Sequence, residues 1–143
     1  MAAKQTTERL FYTTEFDSLF MQGLCHLHAD SLTLAQESFK KCQKLESKSA
    51  VVAYQLANIS AMKRDTTTAI KLLKKAVRYN KSNYFYYSTL AEWYTAINDY
   101  KAATKIYQTI CKKFPDKEYP LYMLSRCYLQ LGDYAKSIKT YEQ

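Results

Sequence analysis

The amino-acid sequence predicts an all-α protein built from tandem antiparallel helical hairpins. Side chains recur at a fixed spacing of 34 residues, and each recurring unit carries two apolar stripes at helical spacing. The 143 residues also include just two Gly and two Pro. Sandwiches, barrels and nucleotide-binding α/β folds need more Gly and Pro at their many turns. The length suits one domain with an ordinary core.

The repeat is clearest around the turns between helices. Segment 97–103 aligns with segment 131–137, and steps of 34 residues backwards reach 63–69 and 29–35. Four units are therefore expected, covering residues 16–49, 50–83, 84–117 and 118–143, of which the last is truncated. Residues 1–15 are expected to form an N-terminal extension or the start of the first helix, which would begin near Thr7.

Small residues recur where the two helices of each hairpin should cross, because small side chains allow a close approach of two backbones. On the first helices they are Gly23, Ala57, Ala91 and Ser125, and opposite them on the second helices stand Ala35, Ala69, Ala103 and Ser137. Larger residues on the same stripes are expected to fill the core. They include Leu56, Leu90, Leu124, Tyr94, Tyr107 and Tyr128.

Polar residues at the turns predict where the helices begin. Asp30, Asp65, Asp99 and Asp133 are expected to cap the N-termini of the second helices, since Asp accepts hydrogen bonds from free backbone N–H groups. Ser49 and Asn83 are placed to cap first helices. Pro120 falls in a first turn, where its missing N–H has no cost.

This pattern resembles the tetratricopeptide repeat family, whose 34-residue unit carries a loose W-x2-L-G-x2-Y…A-x3-F…P motif. The third unit matches it best, with Tyr87, Leu90, Ala91, Tyr94, Ala103, Tyr107 and Pro115. The resemblance covers residues 16–143. It implies an α-solenoid in which the hairpins form a right-handed superhelix, with first helices on the concave wall and second helices on the convex wall.

The resemblance also implies a partner-binding groove along the concave wall. The family's groove positions, carried over to this sequence, give the candidates Phe20, Leu24, His28, Tyr54, Asn58, Met62, Phe85, Ser88, Glu92, Tyr119, Tyr122 and Arg126. A surface rich in aromatics with a few single polar groups is typical of an interface core. We expect an extended peptide or an amphipathic helix to bind there, although some of these residues could instead pack between neighbouring helices.

Some family members clamp a C-terminal carboxylate with Lys, Asn and Arg in this groove. Here Tyr54, Thr89, Tyr119 and Met123 occupy most of those positions, and Asn58 alone fits. The sequence therefore argues against a carboxylate receptor of that type.

Positive charge is concentrated on the second helices. Segments 33–45, 67–79, 101–113 and 135–143 carry 13 Lys or Arg against Glu37 and Glu142, and the chain has a formal net charge of +8. The alternative function is thus a scaffold that binds nucleic acid or an anionic surface through its basic convex side. A solvated face is the simpler interpretation, because Lys-rich stripes without Arg or exposed aromatics read bases poorly.

The sequence predicts neither an enzyme nor a cofactor or metal site. It contains no Gly-rich phosphate loop and no hydrolase motif. Cys25, His26 and His28 are close in sequence, but on a helix their side chains diverge around the axis. Packing explains His26, which stands at a core Tyr position of the repeat.

Other features bear on the protein's context. No apolar segment reaches the ~18 residues of a membrane span. Four cysteines without a C-x-x-C pair are typical of small core residues, which weakly favours a reducing compartment such as the cytoplasm. Export stays open as an alternative if the chain is a fragment. Repeat stacks need a polar terminal cap, and the last unit has none. We therefore expect either a fragment of a longer repeat protein or self-association through the open C-terminal end.

Overall fold

A computed structural model describes the backbone of residues 2–142 and the side chains of residue 11 and residues 13–142. Within this range the chain forms eight helices and no strand, which confirms the all-α prediction. The helices are α1 (Ala2–His28), α2 (Leu32–Leu45), α3 (Ala50–Met62), α4 (Thr66–Tyr79), α5 (Tyr84–Ala96), α6 (Tyr100–Lys113), α7 (Tyr119–Gln130) and α8 (Tyr134–Tyr141).

The helix starts follow the repeat. Helices α2, α4, α6 and α8 begin at Leu32, Thr66, Tyr100 and Tyr134, at intervals of 34 residues. Helix α1 begins at Ala2, earlier than the predicted Thr7, and it runs past Phe16 without a break. No helix therefore begins at position 16, where the sequence predicts the start of the first repeat unit. Gln143, at the end of the fourth predicted unit, lies outside the described residues.

The chain divides into two compact units, residues 1–80 and 81–143. In the first unit each helix packs on the next in chain order, from α1 to α4. In the second unit α5, α6, α7 and α8 pack in the same consecutive way. Each unit is therefore a pair of helical hairpins joined by short turns.

One core cluster of the first unit is formed by residues of α2 and α3, and these are Ala35, Phe39, Cys42, Val52, Leu56 and Ile59. Half-buried apolar residues of α1, including Leu19 and Leu27, cover this cluster. Helix α4 adds the buried residues Ala69, Leu73 and Ala76. Gly23 lies directly against the Phe39 ring, so the helices approach closely at a position where larger residues would clash.

The core of the second unit is richer in tyrosine. Tyr87, Tyr94 and Tyr107 are buried there together with Leu90 and Leu124. The Phe114 ring, just after α6, meets the edges of Tyr84 and Tyr87 at centroid distances of 5.4 and 6.2 Å. Tyr128 was predicted to be a core residue, but it is half-buried, because it borders an open cleft on the side of α6 and α8.

Three of the four predicted aspartate caps are confirmed. The side chains of Asp65, Asp99 and Asp133 accept hydrogen bonds from the backbone N–H groups three residues later. The prediction for Asp30 was wrong, because Ser31 takes the cap position and makes no side-chain cap bond. Asp30 has φ 54° and occupies the left-handed turn position that Gly132 fills in the last hairpin. Short polar residues tolerate this conformation better than most others.

The caps of the first helices differ from one another. Asn83 accepts a hydrogen bond from the Phe85 N–H, as predicted. Ser49 precedes α3 but its side chain forms no cap bond. Pro120 lies in the first turn of α7, where the sequence places it.

Candidate functional site

Four of the predicted groove residues lie together in the first unit. Leu24 and His28 of α1 and Asn58 and Met62 of α3 line one groove of about 490 Å³. Gln55 also lines it. The lining combines apolar side chains with an imidazole and two amides, so it can hold an apolar side chain and offer hydrogen bonds to a peptide backbone.

The side chains of the other two candidates in this unit are partly buried by contacts within the unit. Phe20 stacks on Phe16 at a centroid distance of 6.0 Å and meets the edge of the Phe39 ring at 5.3 Å. Leu24 also packs against the core cluster with one part of its surface. Tyr54 is half-buried. The sequence could not decide between groove and core at these positions, and the side chains contribute to both.

In the second unit the candidate aromatics are more exposed. Phe85 of α5 is 54% exposed, and Tyr119 and Tyr122 of α7 are 51% and 47% exposed. Phe85 and Tyr119 occupy the same register of consecutive repeats, as does Val51 in the first unit, which is 37% exposed. An apolar side chain therefore stands open to solvent at one position in three successive repeats.

Polar groups accompany these aromatics on the same helices. The Arg126 guanidinium lies 5.7 Å from the centre of the Tyr122 ring, a cation–π arrangement that holds both side chains on the surface. Ser88 donates a hydrogen bond of 3.4 Å to Glu92. Arg126 also lines a small cavity of about 80 Å³ with Thr95. Both signs of charge are available to a partner, with Glu92 on α5 and Arg126 on α7.

Two of the groove positions that the resemblance implies are occupied by buried residues. Thr89 and Met123 are buried, and the Thr89 hydroxyl donates to the Phe85 carbonyl oxygen at 2.9 Å. These residues stood at positions where carboxylate-clamping relatives carry polar ligands. Their burial leaves little of either side chain accessible to a partner.

The thiols and imidazoles form no cluster suited to a metal within the described residues. Cys42 and Cys127 are buried, as expected for core residues. Cys25 is exposed, so the prediction that it is a core residue was wrong. Burial raises the pKa of the Cys42, Cys111 and Cys127 thiols, so these side chains are neutral at physiological pH.

The second helices carry the positive charge on their exposed side. Of the 13 Lys and Arg counted there, all but Lys75 are exposed, and Lys75 is half-buried. Lys136 pairs with Asp133 at 2.6 Å. None of the described helices combines the length and the apolar character that a bilayer crossing demands.

Helices α7 and α8 also present an apolar face. Ile138 and Tyr141 are mostly exposed and border a cavity of about 360 Å³ together with Leu129. Tyr141 is 72% exposed. Leu73 and Tyr107 stand at the same repeat position in the two preceding hairpins, and they are 0% and 1% exposed. The face that earlier repeats keep covered is open in α8.

The sequence of residues 6–142 matches the family model described as ChAPs (Chs5p-Arf1p-binding proteins). The chain belongs to the ChAPs family. The match extends over both compact units, so the helical hairpins described above are the fold of this ChAPs segment. No curated protein matches the ChAPs chain in sequence.

Solved structures similar to this ChAPs chain are tetratricopeptide proteins. MamA has a TM-score of 0.75 and 21% identity, covering 89% of this chain and 74% of its own. A tetratricopeptide repeat protein from Parabacteroides merdae has a TM-score of 0.79 and 19% identity, covering 90% and 52%. The first tetratricopeptide domain of Spaghetti (RPAP3), bound to an HSP90 peptide, has a TM-score of 0.68 and 17% identity, covering 83% and 97%. These similarities confirm the predicted helical-repeat solenoid fold.

Proposed function

We propose that this chain is a non-catalytic scaffold that binds another protein through the exposed residues of its first helices. The ChAPs family is described by the binding of Chs5p and Arf1p. Its helical-repeat fold provides helix surfaces for contact, and the described residues hold no cluster suited to a metal. On this basis the partner of the chain is Chs5p, Arf1p or a protein related to one of them.

The observation that carries the proposal is the repeated exposure of apolar side chains on the first helices. Val51, Phe85 and Tyr119 share one repeat register and stand open to solvent. Single exposed apolar residues are common on protein surfaces, but recurrence at one register is not what scattered exposure produces. Tyr is one of the residue types that carry most of the energy of an interface, and Phe is enriched in interface cores.

The groove beside α1 and α3 supplies the second support. Its lining of Leu24, His28, Asn58 and Met62 offers an apolar recess with hydrogen-bonding side chains at its border. An extended peptide or one face of an amphipathic helix fits such a lining, because both present alternating or periodic anchors. We propose that these residues bind the partner together with the solvent-exposed parts of Tyr54 and Phe20, which belong to the same two helices.

The test removes two exposed aromatics of the second unit. Phe85→Ala with Tyr122→Ala should weaken binding to purified Chs5p or Arf1p by at least about tenfold in titration calorimetry. The control is Tyr134→Ala, which removes a ring that is 64% exposed from a second helix. If the control weakens binding as much as the double variant, or neither changes it, the first-helix faces are not the binding surface.

Salt dependence separates this proposal from the alternative of a basic scaffold for nucleic acid or an anionic surface. Aromatic anchoring predicts an affinity that changes little between low and physiological salt. Binding through the Lys-rich second helices predicts a steep fall in affinity with ionic strength, because counterions are released. A steep slope together with an unaffected Phe85→Ala, Tyr122→Ala variant would favour the alternative.

Self-association is a second proposal, and it rests on the open face of α7 and α8. A second copy could cover Ile138 and Tyr141, whose counterparts in earlier repeats are better covered. Sedimentation velocity should then show a concentration-dependent dimer that Tyr141→Ser abolishes. A monomer at every concentration tested contradicts it.

A further inference from the structure

A cleft of about 640 Å³ lies between α6, α7 and α8 in the second unit. Its apolar lining includes Leu121 and Leu124 of α7 and the ring of Tyr128. Four lysines surround this lining, and these are Lys112, Lys117, Lys136 and Lys139. No acidic residue is among the residues that line the cleft. The apolar recess is thus surrounded by positively charged side chains only.

Much of this positive charge is available to a ligand. Lys112 and Lys139 form no ion pair within the described part of the chain. Lys117 contacts Asp116 at 3.4 Å and Lys136 contacts Asp133 at 2.6 Å, both at the surface. Exposed pairs between near neighbours contribute little energy and are screened by salt, so they do not prevent these lysines from meeting another carboxylate.

The ring of Tyr128 is held in place at the side of the cleft. Gln108 Nε2 donates a hydrogen bond of 2.6 Å to the Tyr128 hydroxyl oxygen, and Lys136 Nζ lies 5.7 Å from the ring centroid. The ammonium group therefore occupies a position over the ring face. Single-stranded nucleic acid needs free aromatic faces for base stacking, so this arrangement disfavours it. A recessed apolar lining also differs from the projecting apolar face by which helices bind a membrane surface.

We propose that this cleft binds an acidic segment of a partner protein that carries one or two apolar side chains. A Leu or Phe of the segment would lie against Leu121 and Leu124, while carboxylates on either side of it meet Lys112 and Lys139. The site lies on the second-helix side of α7, so it is separate from the first-helix residues of the proposed function. Charge complementarity selects the segment, and the apolar recess anchors it.

A direct test uses fluorescence anisotropy with a fluorescein-labelled peptide, Glu-Glu-Asp-Leu-Glu-Phe-Asp-Glu, at physiological salt. Lys112→Gln with Lys139→Gln should weaken binding of this peptide by roughly tenfold. The matched control is Lys101→Gln with Lys105→Gln, which removes two exposed lysines from α6 outside the cleft and should change the affinity less than about twofold. An equal loss in both variants would mean diffuse attraction to the basic surface and would overturn the proposal.

The apolar anchor is tested on the peptide, so that the fold of the protein is unaffected. A peptide with Ser in place of both Leu and Phe should bind at least about tenfold more weakly. Equal binding of the two peptides overturns the proposal. It is also overturned if oligodeoxythymidylate or phosphatidylserine vesicles bind in a way that depends on Lys112 and Lys139 while the peptide does not bind.

Discussion

The hydroxyl groups of Ser125 and Ser137 bond reciprocally across the last helical hairpin. Ser125 Oγ donates to the Ser137 carbonyl oxygen at 2.8 Å, and Ser137 Oγ donates to the Ser125 carbonyl oxygen at 2.9 Å. Both side chains are buried. At the same two positions the preceding hairpins have Ala57 with Ala69 and Ala91 with Ala103. Hydrogen bonds between α7 and α8 thus stand where the preceding hairpins carry two buried alanines.

This reciprocal bonding predicts coupling between the two serines. Ser125→Ala or Ser137→Ala alone should lower the free energy of unfolding by about 1 kcal/mol, because one hydrogen bond is lost. The double variant restores the pair of alanines of the other hairpins, and Ala favours helix. It should cost less than the sum of the two single variants, because either single variant already loses the 3.0 Å contact between the two hydroxyl groups. Urea denaturation of the four proteins measures the coupling. Strictly additive losses would mean that the serines bond only to backbone carbonyl groups and not to each other.

The close approach of Gly23 to Phe39 predicts that even a methyl group is too large there. A Cβ at position 23 would lie 2.7 Å from Phe39 Cε1 and Cζ, and the ring is fully buried. Gly23→Ala should therefore destabilise the protein by about 1–2 kcal/mol in thermal or urea unfolding, despite the better helix propensity of Ala. Phe39→Leu in the same chain should relieve most of the clash and so reduce the added cost of Gly23→Ala.

Gly132 provides the comparison for this glycine. A Cβ there would meet no atom within 4 Å, but the residue has φ +76°. Gly132→Ala should cost about 1 kcal/mol through backbone strain alone. No change of Phe39 should alter that cost. An increase in stability for Gly23→Ala would contradict the packing argument.

The buried hydroxyl of Tyr107 predicts a stabilising substitution. Its oxygen has no partner with good hydrogen-bond geometry within the described residues, and the Thr95 hydroxyl lies near it. Burial raises the pKa of Tyr107 far above its ordinary value, and a weak hydrogen bond with Thr95 offsets a part. Tyr107→Phe should raise the free energy of unfolding by about 1 kcal/mol, because an unsatisfied polar group leaves the core. Tyr128→Phe is the control and should lower stability, since the Tyr128 hydroxyl accepts a hydrogen bond from Gln108. Loss of stability in Tyr107→Phe would mean that the hydroxyl is satisfied, by Thr95 or by a bridging water.

The Asp65 cap predicts a loss of stability in acid. Hydrogen bonds from the side chain and the backbone N–H of Thr68 lower the pKa of Asp65 below its ordinary value. A carboxyl with a lowered folded-state pKa contributes stability above its unfolded pKa and loses that contribution as the pH falls through the folded value. Asp65→Asn keeps a cap acceptor that does not titrate. The stability advantage of the native chain over Asp65→Asn should therefore be constant above about pH 5 and shrink below it.

Unfolding at a series of pH values measures this difference. Asn83, which caps α5 with an uncharged side chain, shows that an amide serves in the same role. A pH-independent difference between the native chain and Asp65→Asn would mean that the charge of Asp65 does not contribute.

The candidate site was only partly predictable from residue type. Phe20, Phe85 and Tyr122 looked equivalent in sequence because they fall on the same face of first helices. In the structure Phe20 packs on Phe16 and Phe39, while Phe85 and Tyr122 remain about half exposed. The register states which way a side chain points, but the neighbouring helix decides how much of it is covered. The cleft beside Tyr128 escaped prediction for the same reason, since its residues come from three helices.

The sequence by itself determined the helices, the 34-residue register, the burial of small residues on both helices of each hairpin and three of the aspartate caps, because these depend on interactions within one hairpin or one turn. The tertiary structure decided the burial of Met123, the exposure of Cys25 and the start of α1. It also decided that Asp30 lies at a left-handed turn position while Ser31 precedes α2. These properties depend on how closely neighbouring helices and turns pack, and the spacing of apolar residues along one chain carries no measure of that distance.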